Sequence, residues 1–116
     1  AFAQWSRAAD PSSGTISTIV GNGAPGYSGD GGAATAASLV LPRGVALDVD
    51  GNLFIADPSA QRVLKVSASG MITTVAGTGR AGFSGDGGPA SKADLYNPVA
   101  VVVDRAGNVL TTQATT

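Results

Sequence analysis

Apolar residues along this chain fall into short runs broken by glycine, proline and aspartate, and no run approaches the roughly 20 residues that span a bilayer. Residues 15–20 are rich in β-branched side chains and predict a strand. Residues 44–49 form a short apolar strand, Asp50-Gly51 is a strong hairpin signal, and residues 53–57 return as the partner. After the turn Asp57-Pro58-Ser59-Ala60 come a third strand at 62–66 and a fourth at 71–76, and residues 98–104 and 108–114 then repeat the first two. The runs at 45–49 and 53–56 are apolar on both faces instead of alternating, which predicts strands covered on each side by neighbouring sheets. The alanine-rich residues 33–39 predict one helical turn, ended by Pro42.

Between the strands lie two glycine-rich stretches that expose an internal repeat. Gly-Tyr-Ser-Gly-Asp-Gly-Gly at 26–32 returns as Gly-Phe-Ser-Gly-Asp-Gly-Gly at 82–88. The shift of 56 residues holds without a gap from Ile16 aligned with Ile72 to Asn52 aligned with Asn108, and 18 of those 37 pairs are identical. A fixed period of this size marks stacked supersecondary units, none of which buries its apolar faces alone.

Composition narrows the class. Charged residues are 13% of the 116, about half the usual share, and the net charge is −1, so the scattered cations form no nucleic-acid-binding stripe. The 17 glycines with abundant threonine, serine and valine favour β-structure with tight loops. Histidine and cysteine are absent, which removes the commonest general base, the commonest metal ligand and any Ser/His/Asp or Cys/His set. No catalysis is expected.

Two constellations invite chemical readings. Asp48, Asp50 and Asn52 place oxygen ligands at alternate positions, as at the start of a calcium loop, but the distal Glu is missing. The second copy, Asp104-Arg105-Ala106-Gly107-Asn108, drops the middle carboxylate and keeps Gly-Asn, so a hairpin turn explains what both share. Gly21, Gly23 and Gly26 match the dinucleotide spacing without the strand–helix setting it requires. The loops are therefore predicted to be tight linkers, with Asp30 and Asp86 bonding to backbone N–H groups. Tyr27 and Phe83, beside Gly26 and Gly82, are expected to pin each loop onto its sheet. No cofactor and no metal is expected.

Pro42-Arg43-Gly44-Val45-Ala46-Leu47-Asp48, then Gly51-Asn52-Leu53-Phe54-Ile55-Ala56-Asp57, Arg62-Val63-Leu64-Lys65-Val66 and Ile72-Thr73-Thr74-Val75-Ala76-Gly77 closely resemble the NHL repeat. The variety they resemble is the bacterial one, in which a GxGxxGxxGDGGxAxxAxLxxP segment links blades. The resemblance covers about residues 15–110 and implies an all-β fold of four-stranded antiparallel propeller blades, usually about six to a ring. Some NHL-like propellers are lyases that hold a metal through histidine, an activity that does not carry over to a chain without one. Ala60 stands where the family usually has Asn, and the second unit reads Thr111-Thr112-Gln113 where the pattern expects Ile-Ala-Asp.

With blade strands labelled a to d in chain order, residues 43–76 supply one complete blade. Residues 98–116 supply a half-blade a-b, and residues 1–20 a half-blade c-d, the 56-residue shift putting the c strand at 5–10. Residues 21–42 and 77–97 are the linkers. Head and tail halves of different copies are thus expected to complement each other in a head-to-tail ring or filament. Phe2, Trp5, Ile16, Ile19, Val101, Val103, Val109 and Leu110 are the residues expected at that boundary. The implied partner is the chain itself, with neither nucleic acid nor a membrane span, and the low charge and threonine-rich end suit an extracellular setting. The alternative is a piece of a larger NHL propeller acting as a binding scaffold.

Overall fold

The protein is all-β. The computed structural model describes residues 3–7, 15–24, 26, 28–82 and 87–113, with side chains from residue 19 onward. Among the described residues eight strands follow in order: β1 (Ala3–Arg7), β2 (Thr15–Val20), β3 (Gly44–Leu47), β4 (Leu53–Asp57), β5 (Arg62–Val66), β6 (Ile72–Ala76), β7 (Pro98–Val103) and β8 (Val109–Gln113). They form three antiparallel sheets, β1-β2, β3-β4-β5-β6 and β7-β8. The alanine-rich segment supplies one 3-10 turn, Ala34–Ala36.

The central blade shows why its strands are apolar throughout. Directly opposed residues share a face, so Val45, Leu47, Leu53, Ile55, Leu64, Val66 and Ile72 point one way, toward the preceding sheet. Ala46, Phe54, Ala56 and Val63 point the other way, toward the following one. On the first side, Leu53, Ile55, Leu64, Val66 and Ile72 pack with Val20, Ala34, Ala37 and Leu39. On the second, Phe54, Ala56 and Val63 pack with Leu95 and Val101, flanked by Val103 and Val109. Full burial of each Val, Leu, Ile or Phe side chain among them is worth about 1.5–3 kcal/mol, so these two joints hold the chain together. All five residues of β4 are buried. On β3, by contrast, Val45 and Leu47 are largely exposed, 58% and 45%, so the inner edge of the blade is covered on one side only.

Hairpins and linkers are locked by polar groups at repeat-related positions. Asp48 Oδ1 accepts from the backbone N–H of Asp50 and Asn52, and its Oδ2 from Asn52 Nδ2. Asp104 holds Asn108 by the same two kinds of bond. In each hairpin the residue before Asn is glycine in the left-handed region, Gly51 at φ 85° and Gly107 at φ 88°. The linkers repeat in the same way. Gly21 N–H donates to the Ala34 carbonyl and Gly77 N–H to that of Ala90, while Ser38 bonds to Asn22 as Asp94 does to Thr78. Gly29 is tied to its residue type by space as well as by φ 90°, because a Cβ there would lie 2.7 Å from Ala37 Cα.

The first linker also runs along the outer edge of the central blade. Gly31 N–H donates to the Ile72 carbonyl, Ile72 N–H to that of Gly32, and Ala34 N–H to that of Gly70. Edge groups of β6 that would otherwise be open to another strand are thereby occupied. Asp30 accepts from Thr74 Oγ1 at 3.2 Å, a side-chain contact where a backbone one was expected. Tyr27, Phe83 and Asp86 lie outside the described residues.

Candidate assembly interface

The head sheet departs from the 56-residue rule. In the central blade Val66 pairs with Ile72 and Leu64 with Thr74, with an irregularity between Val63 and Leu64. In the head, Ser6 pairs with Ile16 and Gln4 with Thr18, with an irregularity between Ala3 and Gln4. Ile16 and Thr18 are the repeat equivalents of Ile72 and Thr74, so Ser6, not Asp10, takes the place of Val66. The c strand therefore sits four residues earlier than the repeat predicts, at Ala3–Arg7, and the four extra residues fall in the connection to β2. In the sequence that connection includes Pro11-Ser12-Ser13-Gly14, residues typical of turns.

β8 runs through Thr111 and Thr112 to Gln113, since threonine suits an extended, half-covered position. Gln113 also stands in for Asp57. Asp57, fully buried at the end of β4, accepts from the backbone N–H of Val40 at 2.8 Å, Leu41 at 2.9 Å and Ala60 at 3.3 Å. It thereby ties the linker to the blade and caps the Pro58–Ala60 turn that lacks the family's Asn. Gln113 Oε1 accepts from Tyr96 N–H at 2.8 Å, and Tyr96 is the repeat equivalent of Val40. The repeat pattern includes Asp57 but does not give its role; the available signal was a carboxylate closing an otherwise apolar strand.

The expected boundary residues divide. Val101, Val103 and Val109 are not at an outer boundary, because they pack inward against the central blade. Ile19 packs against the first core cluster and also lines the open cavity at the head. The outward face of the tail carries Val102 and Leu110, opposed across β7-β8 and 61% and 60% exposed. Val102 was missed because strand alternation alone does not say which face of a terminal sheet is free. Phe2 lies outside the described residues, and Trp5 and Ile16 are described as strand positions only.

Two open surfaces result. At the tail lies the apolar patch of Val102 and Leu110, beside the edge of β8 that has no partner strand among the described residues. At the head, Ile19, Leu47, Leu53, Val66 and the 67–70 turn line an open cavity of about 560 Å³, next to exposed Val45. A cavity of that size could admit a small molecule, but among the described residues no charged side chain lines it. Electrostatics add little here. The side chain of Asn52 holds the Asp48 carboxyl below the usual carboxylate range, and Asn108 does the same for Asp104. The Asp48 oxygens are engaged in the hairpin, and the equivalent carboxylate serves the same turn without a neighbour like Asp50. Among the described residues no cluster of three or more acidic side chains is poised for a metal, and no helix is long and apolar enough to cross a membrane.

A four-stranded antiparallel sheet paired in chain order, packed face to face with its neighbours and joined by glycine-rich linkers, defines a β-propeller blade. The chain belongs to the teneurin NHL domain family, whose model matches residues 20–84, more than half of its length. It is similar in structure to a protein of unknown function from Bacteroides thetaiotaomicron, with 25% identity and a TM-score of 0.76 over 87% of this chain and 25% of that one. It is also similar in fold to an auxiliary nutrient binding protein from the same organism, with 22% identity and a TM-score of 0.62 over 79% of this chain and 24% of that one. Both neighbours are propeller-like, and the chain spans about a quarter of the length of each. No curated protein sequence matches it.

Proposed function

We propose that this chain is a non-enzymatic propeller building unit that completes its blades with copies of itself. The tail half-blade β7-β8 of one copy receives the head half-blade β1-β2 of the next. The observation that carries this reading is the complementarity of the two ends: one supplies the inner pair of blade strands, the other the outer pair, and each leaves one strand edge without a partner among the described residues. Strand addition at such edges is a general route to association, and a head-to-tail contact closes as a ring or runs on as a filament according to its rotation. The low charge suits an extracellular setting. Light scattering coupled to size exclusion tests the proposal: species of several subunits at micromolar concentration support it, and a folded monomer overturns it.

A second reading is favoured by the quarter-length match to the solved neighbours. In it the same open faces are covered by further units of one longer polypeptide, and the closed propeller is a binding scaffold. A monomer at all concentrations favours this reading.

A further inference from the structure

Resting on the self-assembly reading, we infer that the joint between copies has one register: Val109, Leu110, Thr111 and Thr112 of β8 pair with Ser6, Trp5, Gln4 and Ala3 of the incoming copy's β1. In that register Leu110 and Val102 close the cavity at the incoming copy's head.

The register follows from the molecule's own complete blade. There Leu53, Phe54, Ile55 and Ala56 pair with Val66, Lys65, Leu64 and Val63. The 56-residue shift carries the first four to Val109, Leu110, Thr111 and Thr112. The pairing of β1 with β2 equates the last four with Ser6, Trp5, Gln4 and Ala3. Residues 7–10, where the uninterrupted repeat would place the partner strand, are excluded by the four-residue displacement.

The socket follows from the internal joint between blades. Ala46 and Phe54 pack on Val101, Val103, Val109 and Leu95. Moved by one repeat, Ala46 and Phe54 become Val102 and Leu110, and the surface that receives them becomes Val45, Leu47, Leu53 and Leu39. Of these, Leu39 and Leu53 are already buried by the linker and β2, while Val45 and Leu47 are left open and Leu47 and Leu53 line the cavity. A second copy is thus the occupant whose side chains match the vacancy in number and spacing, because the contact it would make already exists once inside each chain. The second linker is consistent with a missing outer pair of strands. Ala90 is exposed where its equivalent Ala34 is buried against the central blade.

Cysteine pairing tests the register cleanly, since the chain has no cysteine of its own. Thr112→Cys is mixed with Ala3→Cys, and in parallel Thr111→Cys with Gln4→Cys, each single variant first checked for an unchanged circular dichroism spectrum. Adjacent antiparallel pairs alternate between wide and close spacing, so one of the two mixtures has the nearer geometry. Mild oxidation is expected to give disulfide-linked heterodimers in at least one, most of the protein being linked, while Thr112→Cys mixed with Arg7→Cys stays unlinked. Linking through Arg7→Cys, or assembly with no link in either expected mixture, overturns the register. A wild-type protein that remains monomeric instead overturns the assembly reading on which it rests.

Discussion

Replacing Asp57 by alanine is expected to destabilise the fold more than any other single polar truncation in the described chain. The carboxylate is fully buried and accepts three backbone N–H bonds, from Val40, Leu41 and Ala60. Removing it strands three donors, each costing about 1–3 kcal/mol where water cannot reach it. Val40 is half-buried and Leu41 is exposed, so the lower part of that range applies to two of the three, and the total is about 3–5 kcal/mol. Stability for a chain of this length is roughly 6–17 kcal/mol, so a sizeable fraction would go. With a slope of about 2 kcal/mol per molar urea, the unfolding midpoint should fall by about 2 M. The assay is urea unfolding followed by far-UV circular dichroism at one fixed protein concentration, because association adds to apparent stability. Gln113→Ala is the internal control. It removes the equivalent bond to Tyr96 at an exposed position where water can replace it, and should cost under about 1 kcal/mol. The reasoning is refuted if Asp57→Ala stays within about 1 kcal/mol of wild type, or if the two truncations cost the same.

Other outcomes follow from the same geometry. Leu110→Asp should reduce the assembled fraction at least tenfold in sedimentation while leaving the circular dichroism spectrum unchanged, since Leu110 makes little contact within its own chain; loss of folding would point to an internal role. Gly44→Ala should cost about 1–3 kcal/mol by overpacking, because a Cβ there would lie 2.7 Å from the Val99 carbonyl oxygen and 3.1 Å from Ala100 Cα, and thermal unfolding reads the loss. Asp48 and Asp104 have folded pKa values lowered by Asn52 and Asn108, so the stability they contribute is present above the ordinary value of 3.8 and is lost as pH falls below it toward the folded values. The doubly substituted Asp48→Asn, Asp104→Asn protein should therefore show a shallower fall in melting temperature from pH 4 to pH 2, and an unchanged fall would remove these hairpins from the account.

Much of this fold was legible because the chain states it twice. The hairpin at Asp48 and the linker that begins at Gly21 could each be checked against a second copy, and the calcium reading of Asp48, Asp50 and Asn52 weakened as soon as position 106 proved to be alanine. Legibility ended where the repeat did. The gapless alignment begins at Ile16, so the position of β1 depended on extrapolating a period through a connection that is four residues longer than its counterpart. Composition could not reveal that, whereas strand pairing does. The face assignment of Val102 against Val101 was similarly hidden, since both are valines in one apolar run and only packing against Phe54 and Ala56 distinguishes them. The replacement of Asp57 by Gln113 was visible as a departure from the expected Ile-Ala-Asp, but the task of either side chain was not. The two side chains share one task, accepting a bond from the linker's backbone, through different functional groups.

The close approach at Gly44 has a consequence for shape. Its repeat equivalent is Ala100, which stands on the free face of the tail sheet and would meet the backbone of residues 43 and 44 in a following copy. The contact inside the chain tolerates no methyl group at this point, yet the contact between chains would have to hold one. In the proposed assembly each copy would contribute one tight wedge and one wider wedge, so the curvature would alternate instead of being constant. In that assembly the angle through which each subunit turns from the last would be set at the innermost strand by a single carbon atom.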